Sequence, residues 1–168
     1  MGTILIIMIC LLTPMIVIGI ITVFEIKRRK RIRKCLEKCV QKVIENNTLV
    51  IPHIEYFRNK VIGIDSVTKK LIFLHHSNGF VDQKCIDLRL VAFCEINSSI
   101  DKATNKVDEM FLTVKYRGQG ASKLIFFERP VDNVQSKRLL LAKAREWKNR
   151  INREIGSTNL NNSVEHVM

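Results

Sequence analysis

From Gly2 to Phe24 the chain carries no charged residue, and it then meets a dense cationic block, Lys27-Arg28-Arg29-Lys30-Arg31-Ile32-Arg33-Lys34. A hydrocarbon core about 30 Å thick takes about 20 apolar residues of helix, and Thr3 to Phe24 supplies 22. Pro14 and Gly19 interrupt the run, but both are tolerated in membrane helices. Lys and Arg beside a span stay on the cytoplasmic side. The expected topology is therefore a single span in the cell membrane, with the N-terminus outside and the chain after Glu25 in the cytoplasm. A cleaved leader would need a cationic start, a shorter apolar stretch and a small-residue cleavage site. Here the cations follow the run instead of preceding it.

The net charge of +12 is unevenly placed. Residues 25–42 hold nine Lys and Arg against Glu25 and Glu37, a local excess of +7. A cationic cluster can mark nucleic acid or an anionic membrane. One that follows a span meets phospholipid headgroups, so membrane lipids are the expected partner and nucleic acid is disfavoured. The contact residues are Lys27, Arg28, Arg29, Lys30, Arg31, Arg33 and Lys34. The main expected work of the block is to set topology.

The helical spacing of apolar residues at 36, 39, 40, 43 and 44 predicts a basic juxtamembrane stalk over 26–47, ending near Asn46-Asn47. Whether the stalk also makes a homo-oligomer is left open. From residue 48 the pattern becomes β-like. Strands are expected at Thr48–Ile51, Phe57–Asp65, Lys70–His75, Val81–Ile86, Arg89–Asn97, Asp108–Arg117 and Lys123–Glu128. Turns are expected at Ser66–Lys69, at Ser77-Asn78-Gly79 and at Gly118-Gln119-Gly120. The polar stretch Ser98–Val107 reads as an exposed loop. A final helix follows, with Asp132 as N-cap and Gln135 completing a capping box. Its apolar stripe is Leu140, Ala144, Trp147, Ile151 and Ile155, opposite Lys143, Arg145, Lys148, Arg150 and Arg153. Trp147 on that stripe is expected to fill the core. Gly156 should end the helix, leaving 156–168 as a disordered tail.

The order of elements, with a Trp midway along the last helix, resembles a pleckstrin-homology-like (PH-like) domain. Ile62-Gly-Ile-Asp65, Lys69-Lys-Leu-Ile-Phe73, Ile86–Ile96 and Lys123-Leu-Ile-Phe-Phe127 resemble segments of short bacterial members. The resemblance covers roughly residues 50–155. It implies an α+β, mainly β fold: a bent barrel of about seven antiparallel strands whose open end is plugged by the C-terminal helix. The expected organisation is a transmembrane helix over 1–25, the stalk over 26–47, a PH-like domain over 48–155 and the tail. The family's phosphoinositide site lies around its first hairpin. There this chain offers Lys60, Lys69 and Lys70 as a lipid face, without the usual Lys-x(n)-Lys/Arg-x-Arg arrangement.

No catalytic constellation is readable. Gly118-Gln119-Gly120 lacks the rest of a phosphate loop, and His75-His76 would point to opposite faces of a strand. Cys35 and Cys39 share a helical face at i, i+4 and could contribute two zinc ligands, where a structural site needs four. No metal, cofactor or enzymatic activity is expected. The five cysteines form no disulfide framework. The expected function is a membrane-tethered, non-enzymatic scaffold that presents its cytoplasmic domain to a protein partner. The alternatives are an anionic-lipid sensor and a metal-binding protein acting through Cys35 and Cys39.

Overall fold

The computed structural model describes residues 2–101, 106–129, 132 and 136–165; for residues 2–16 and 158–165 it describes the backbone alone. The chain begins with one unbroken helix, α1 (Gly2–Asn47), of 46 residues. At 1.5 Å per residue it is about 69 Å long. Its end is a Schellman cap: Thr48 takes a left-handed φ of 52°, and Leu49 N–H donates to the Ile44 carbonyl at 3.1 Å. Leu49 and Ile44 then belong to the same hydrophobic cluster, as this cap favours. The helix ends where the sequence places it, and the residue that turns the chain is Thr48.

Seven strands follow: β1 (His53–Phe57), β2 (Lys60–Asp65), β3 (Lys70–Ser77), β4 (Phe80–Asp87), β5 (Val91–Asp101), β6 (Lys106–Tyr116) and β7 (Ala121–Glu128). A single 3-10 turn, Leu88–Leu90, separates β4 from β5. The strands make two antiparallel sheets, β1-β2-β3-β4 and β5-β6-β7. A long helix, α2 (Lys137–Glu165), closes the chain. The fold is α+β and mainly β, as expected, but among the described residues the two sheets do not join into a closed barrel.

Several expected boundaries move. Residues 48–51 form no strand. The strand expected over Phe57–Asp65 is broken by a two-residue turn, Arg58-Asn59, with Arg58 at φ 54°. The polar stretch expected as a loop is largely strand, since β5 runs to Asp101 and β6 starts at Lys106. It was legible as polar because this sheet has a water-facing side. Residues 102–105 lie outside the described residues. At Asn78-Gly79, φ values of 51° and 84° make a tight two-residue hairpin, the turn that Asn-Gly favours.

The inner core lies between the two sheets and α2. It includes Ile62, Ile64, Leu71, Phe73, Leu112, Val114, Phe126 and the expected helical stripe Leu140, Ala144, Trp147, Ile151 and Ile155. A second core lies on the other face of the four-stranded sheet. There Leu36, Val40, Val43 and Leu49 pack on Val61, Ile72 and Leu74, with Ile32, Cys39 and Ile44 at the margin. Alternate residues of β2 and β3 thus feed two different cores. The later part of the segment expected as a stalk linking anchor to domain, from Ile32 to Ile44, packs on the sheet as a layer of the domain. Gly63 belongs to this outer face, where a Cβ would come within 3.0 Å of Ile51 Cγ2.

Three terminal expectations also change. Asp132 is not the N-cap of α2, which starts five residues later; its carboxylate is used elsewhere, and Gln135 lies outside the described residues. Gly156 does not stop α2, which continues to Glu165. A helical Gly costs only about 1 kcal/mol relative to Ala, and Ile155 and the bond from Lys69 Nζ to Ser157 Oγ (3.0 Å) hold that turn down. Residues 166–168 lie outside the described residues. Finally, among the described residues no helix is long and apolar enough to cross a membrane. The described side chains begin at Val17, so most of Thr3–Phe24 lies outside them.

Candidate functional site

Two contacts fix how α1 lies on the first sheet. The Arg33 guanidinium sits over the Tyr56 ring, 5.5 Å from its centroid. At the far end of the helix, Val50 N–H donates to Asp65 Oδ2 at 2.9 Å. Tyr56 is paired with Val61 near the start of β2, and Asp65 ends that strand. Passing from Arg33 to Asn47 thus leads from the β1–β2 turn towards the β2–β3 turn. The cationic segment Lys27–Lys34 therefore leaves the domain at the end that carries the β1–β2 turn and the β3–β4 hairpin.

That end is cationic and partly apolar. Lys27, Arg28, Arg29, Lys30, Arg31, Arg33 and Lys34 are all exposed. Arg29 and Arg33 make exposed i,i+4 pairs with Glu25 (3.4 Å) and Glu37 (3.0 Å). Such pairs are weak and leave the cations accessible. The hairpin tip adds Asn78, Gly79 and Phe80, all exposed, with Phe80 at 80%. Sequence reading singled out the Asn-Gly turn and missed the Phe beside it. An aromatic next to an uncharged two-residue turn was the available signal.

The three lysines expected as a lipid face do not converge. In the β2–β3 ladder Lys60 pairs with His75 and Asp65 with Lys70, which puts Lys60 roughly 17 Å from Lys70 along the sheet. Lys60 is wholly buried, with Nζ 3.0 Å from Asp132 Oδ2 and 2.8 Å from Asn59 Oδ1. Lys69 is held by Glu154 at 2.8 Å. Lys70 is half-buried at the start of β3. Lys60 cannot show its ammonium to a headgroup.

Asp132 is the hub of a buried polar cluster. One oxygen takes a hydrogen bond from Lys60 and another from Glu128 N–H (3.0 Å), while Arg58 approaches the second oxygen at 3.2 Å. Asp132 N–H in turn donates to the Glu128 carbonyl at 2.8 Å. The cluster ties β2 and β7, one strand from each sheet, to the segment that leads into α2. Burial lowers the affinity of the Lys60 amine for its proton, and Asp132 opposes that shift. His75 stands beside them, its imidazole pushed down to about 4 by burial and then by the Lys60 charge. His75 Nε2 and Glu128 Oε2 are buried without hydrogen-bond partners, and at 3.8 Å they are too far apart to bond each other. Perturbed groups can mark a catalytic site. Here Lys60 and Asp132 spend their polar atoms on each other, on the Asn59 and Arg58 side chains and on the backbone, which is the work of a structural joint.

The other candidates resolve simply. Trp147 is buried, as expected, and its Nε1–H donates to Glu55 Oε2 at 2.7 Å, while Lys143 also pairs with Glu55 at 2.5 Å. The two hydrogen bonds hold the Glu55 carboxyl below its usual range against the opposing effect of burial. Cys35 is exposed, and Cys39 packs against the sheet. Burial and the neighbouring Cys35 raise the Cys39 thiol. Among the described residues no three His, Cys, Asp or Glu side chains gather as metal ligands. The Asn152 amide donates to the Cys94 carbonyl and accepts from the Cys94 N–H, both at 2.8 Å. It thereby closes the β5 edge at that point. Compared with protein-family models, with curated proteins and with solved structures, the chain matches none.

Proposed function

We propose that this chain is a membrane-tethered, non-enzymatic binding module, single-pass, with its β-rich domain on the cytoplasmic side. The observation that carries the reading is the continuity of α1. One helix runs from the uncharged N-terminal run through the cationic block and into the outer core of the domain. The sequence of the run supports a span, and the cations that follow it support the orientation. Two sheets of four and three strands closed by a C-terminal helix support the finer reading of the domain as PH-like.

The partner in this reading is a protein, taken up by strand addition at a sheet edge. β5 is an edge strand of 11 residues. Asn152 occupies its edge at Cys94, so the stretch beyond Glu95, with Ser98 and Ile100 exposed, is the part offered. Three experiments test this. Membranes from expressing cells should retain the full chain through an alkaline wash, and protease added to intact cells should spare the domain. A photo-crosslinking residue at Ser98 should capture a defined partner that the same residue at Ser66, on the β2–β3 turn, does not. Release by alkaline wash would end the tether reading; equal capture at both positions would end the edge reading.

A further inference from the structure

We propose that the β3–β4 hairpin tip, Asn78-Gly79-Phe80, is a second membrane contact, seated in the headgroup region of the same anionic bilayer that α1 crosses. The inference rests on the single-span reading above and goes further, because it fixes which end of the domain faces the lipid.

The argument starts from rigidity. Leu36, Val40, Val43 and Leu49 are buried against Val61, Ile72 and Leu74, so the domain cannot swivel about α1. The direction of α1 on the sheet then decides which end comes near the bilayer. Arg33 lies over Tyr56, and Val50 bonds Asp65, so the β1–β2 turn and the β3–β4 tip point back along α1 towards its apolar part. The β2–β3 turn points away.

Reach decides whether the tip arrives. From Arg33 back to Phe24 is nine residues, about 14 Å of helix. The level of Tyr56 on β3 is Leu74, through Val61. From Leu74 to Ser77 is three residues, about 10 Å of strand, and the Asn78-Gly79 turn adds a few more. The tip therefore comes within about one helical turn of the level of Phe24, where the apolar run gives way to cations.

The chemistry at that level suits a bilayer surface. A lone exposed apolar residue is ordinary elsewhere on a protein. Phe80, 80% exposed, sits on an uncharged tip at the depth where aromatic side chains favour the interface. The exposed cations of Lys27–Lys34 lie at the same end of the domain, on the helix that covers the other face of the sheet, and attract an anionic leaflet. Val67, 84% exposed on the β2–β3 turn, is the natural contrast. It belongs to the end with Lys69 and Lys70, which this geometry turns away from the lipid.

The test uses the full chain reconstituted in vesicles of phosphatidylglycerol and brominated phosphatidylcholine. Brominated chains quench tryptophan at the membrane. Trp147 is buried in the domain core and provides the same background in every sample. Phe80→Trp should lose its added emission when the brominated lipid is present, and Val67→Trp should keep its own. Vesicles that carry the protein but quench neither variant, or quench Val67→Trp instead, would overturn the inference and leave the tether intact. Protein that fails to co-float with the vesicles would overturn the tether and the inference with it.

Discussion

The two sheets share one inner core, but their outer faces are finished in different ways. Every residue of β2 and five of the eight in β3 are buried, because α1 covers the outer face of the four-stranded sheet. β6 instead alternates, with Met110, Leu112 and Val114 buried and Thr113 and Lys115 turned outward. That outer face is completed by cross-strand ion pairs, Lys115 with Glu95 at 3.0 Å and Lys123 with Glu109. The difference teaches that α1 is part of the fold. The second sheet needs only water on its outer side, while the first needs the helix.

The hardest test of this contrast is to remove α1. A chain of residues 48–165 should lose cooperative urea unfolding and near-UV circular dichroism, because it exposes Val61, Ile72 and Leu74 together. A cooperative transition in that fragment would erase the distinction between the sheets. Next in size is Asp132→Ala, which strands Lys60 in the core where the two sheets are joined. Breaking one side of a buried ion pair costs about 3–5 kcal/mol, read from urea unfolding of the detergent-solubilised chain by Trp147 fluorescence. Lys60→Met combined with Asp132→Leu should lose less than Asp132→Ala alone, since no charge is then left unpaired.

Leu36→Ala should cost about 2–5 kcal/mol, as for a core leucine. A loss near zero would mean that α1 merely rests on the sheet. The joint also has a pH signature. His75 has a folded-state pKa of about 4 against the usual 6.5. Between those values the unfolded chain binds the proton and the folded chain does not, so stability rises with pH across the window. Acidification from 6.5 to 4 should remove about 3 kcal/mol through this group, and His75→Gln should flatten that slope. The smallest effect belongs to the water-facing side of the second sheet, where Lys115→Ala should leave the urea midpoint unchanged. A marked shift there would show that this face also carries folding energy.

The strands, turns and the stripe of α2 were legible because they rest on local periodicity. Leu140, Ala144, Trp147, Ile151 and Ile155 fall on one helical face and all are buried. The β2 and β3 runs Val61-Ile-Gly-Ile64 and Leu71-Ile-Phe-Leu74 hold apolar residues on both faces of a strand, a pattern of two-sided burial. They required a cover for the outer face, and 32–49 supplied the matching stripe. That pairing was missed because the stripe sits beside a cationic block and was read as a stalk. Asp132 was misread for a related reason. A local capping pattern is visible in sequence, but a bond to Lys60, 72 residues away, is not.

By itself, the sequence determined the uncharged run, the cationic block behind it, the helix end near Asn47, most of the strands and the buried face of α2. Each depends on residues within a few positions of one another. Only the tertiary structure decided that α1 is a layer of the domain, that Lys60 is an interior cation and not a lipid ligand, and that Phe80 and the cations of α1 share one end of the molecule. Those facts depend on which distant segments meet and in which direction they run, and hydrophobic spacing along a chain says which face is buried without saying against what.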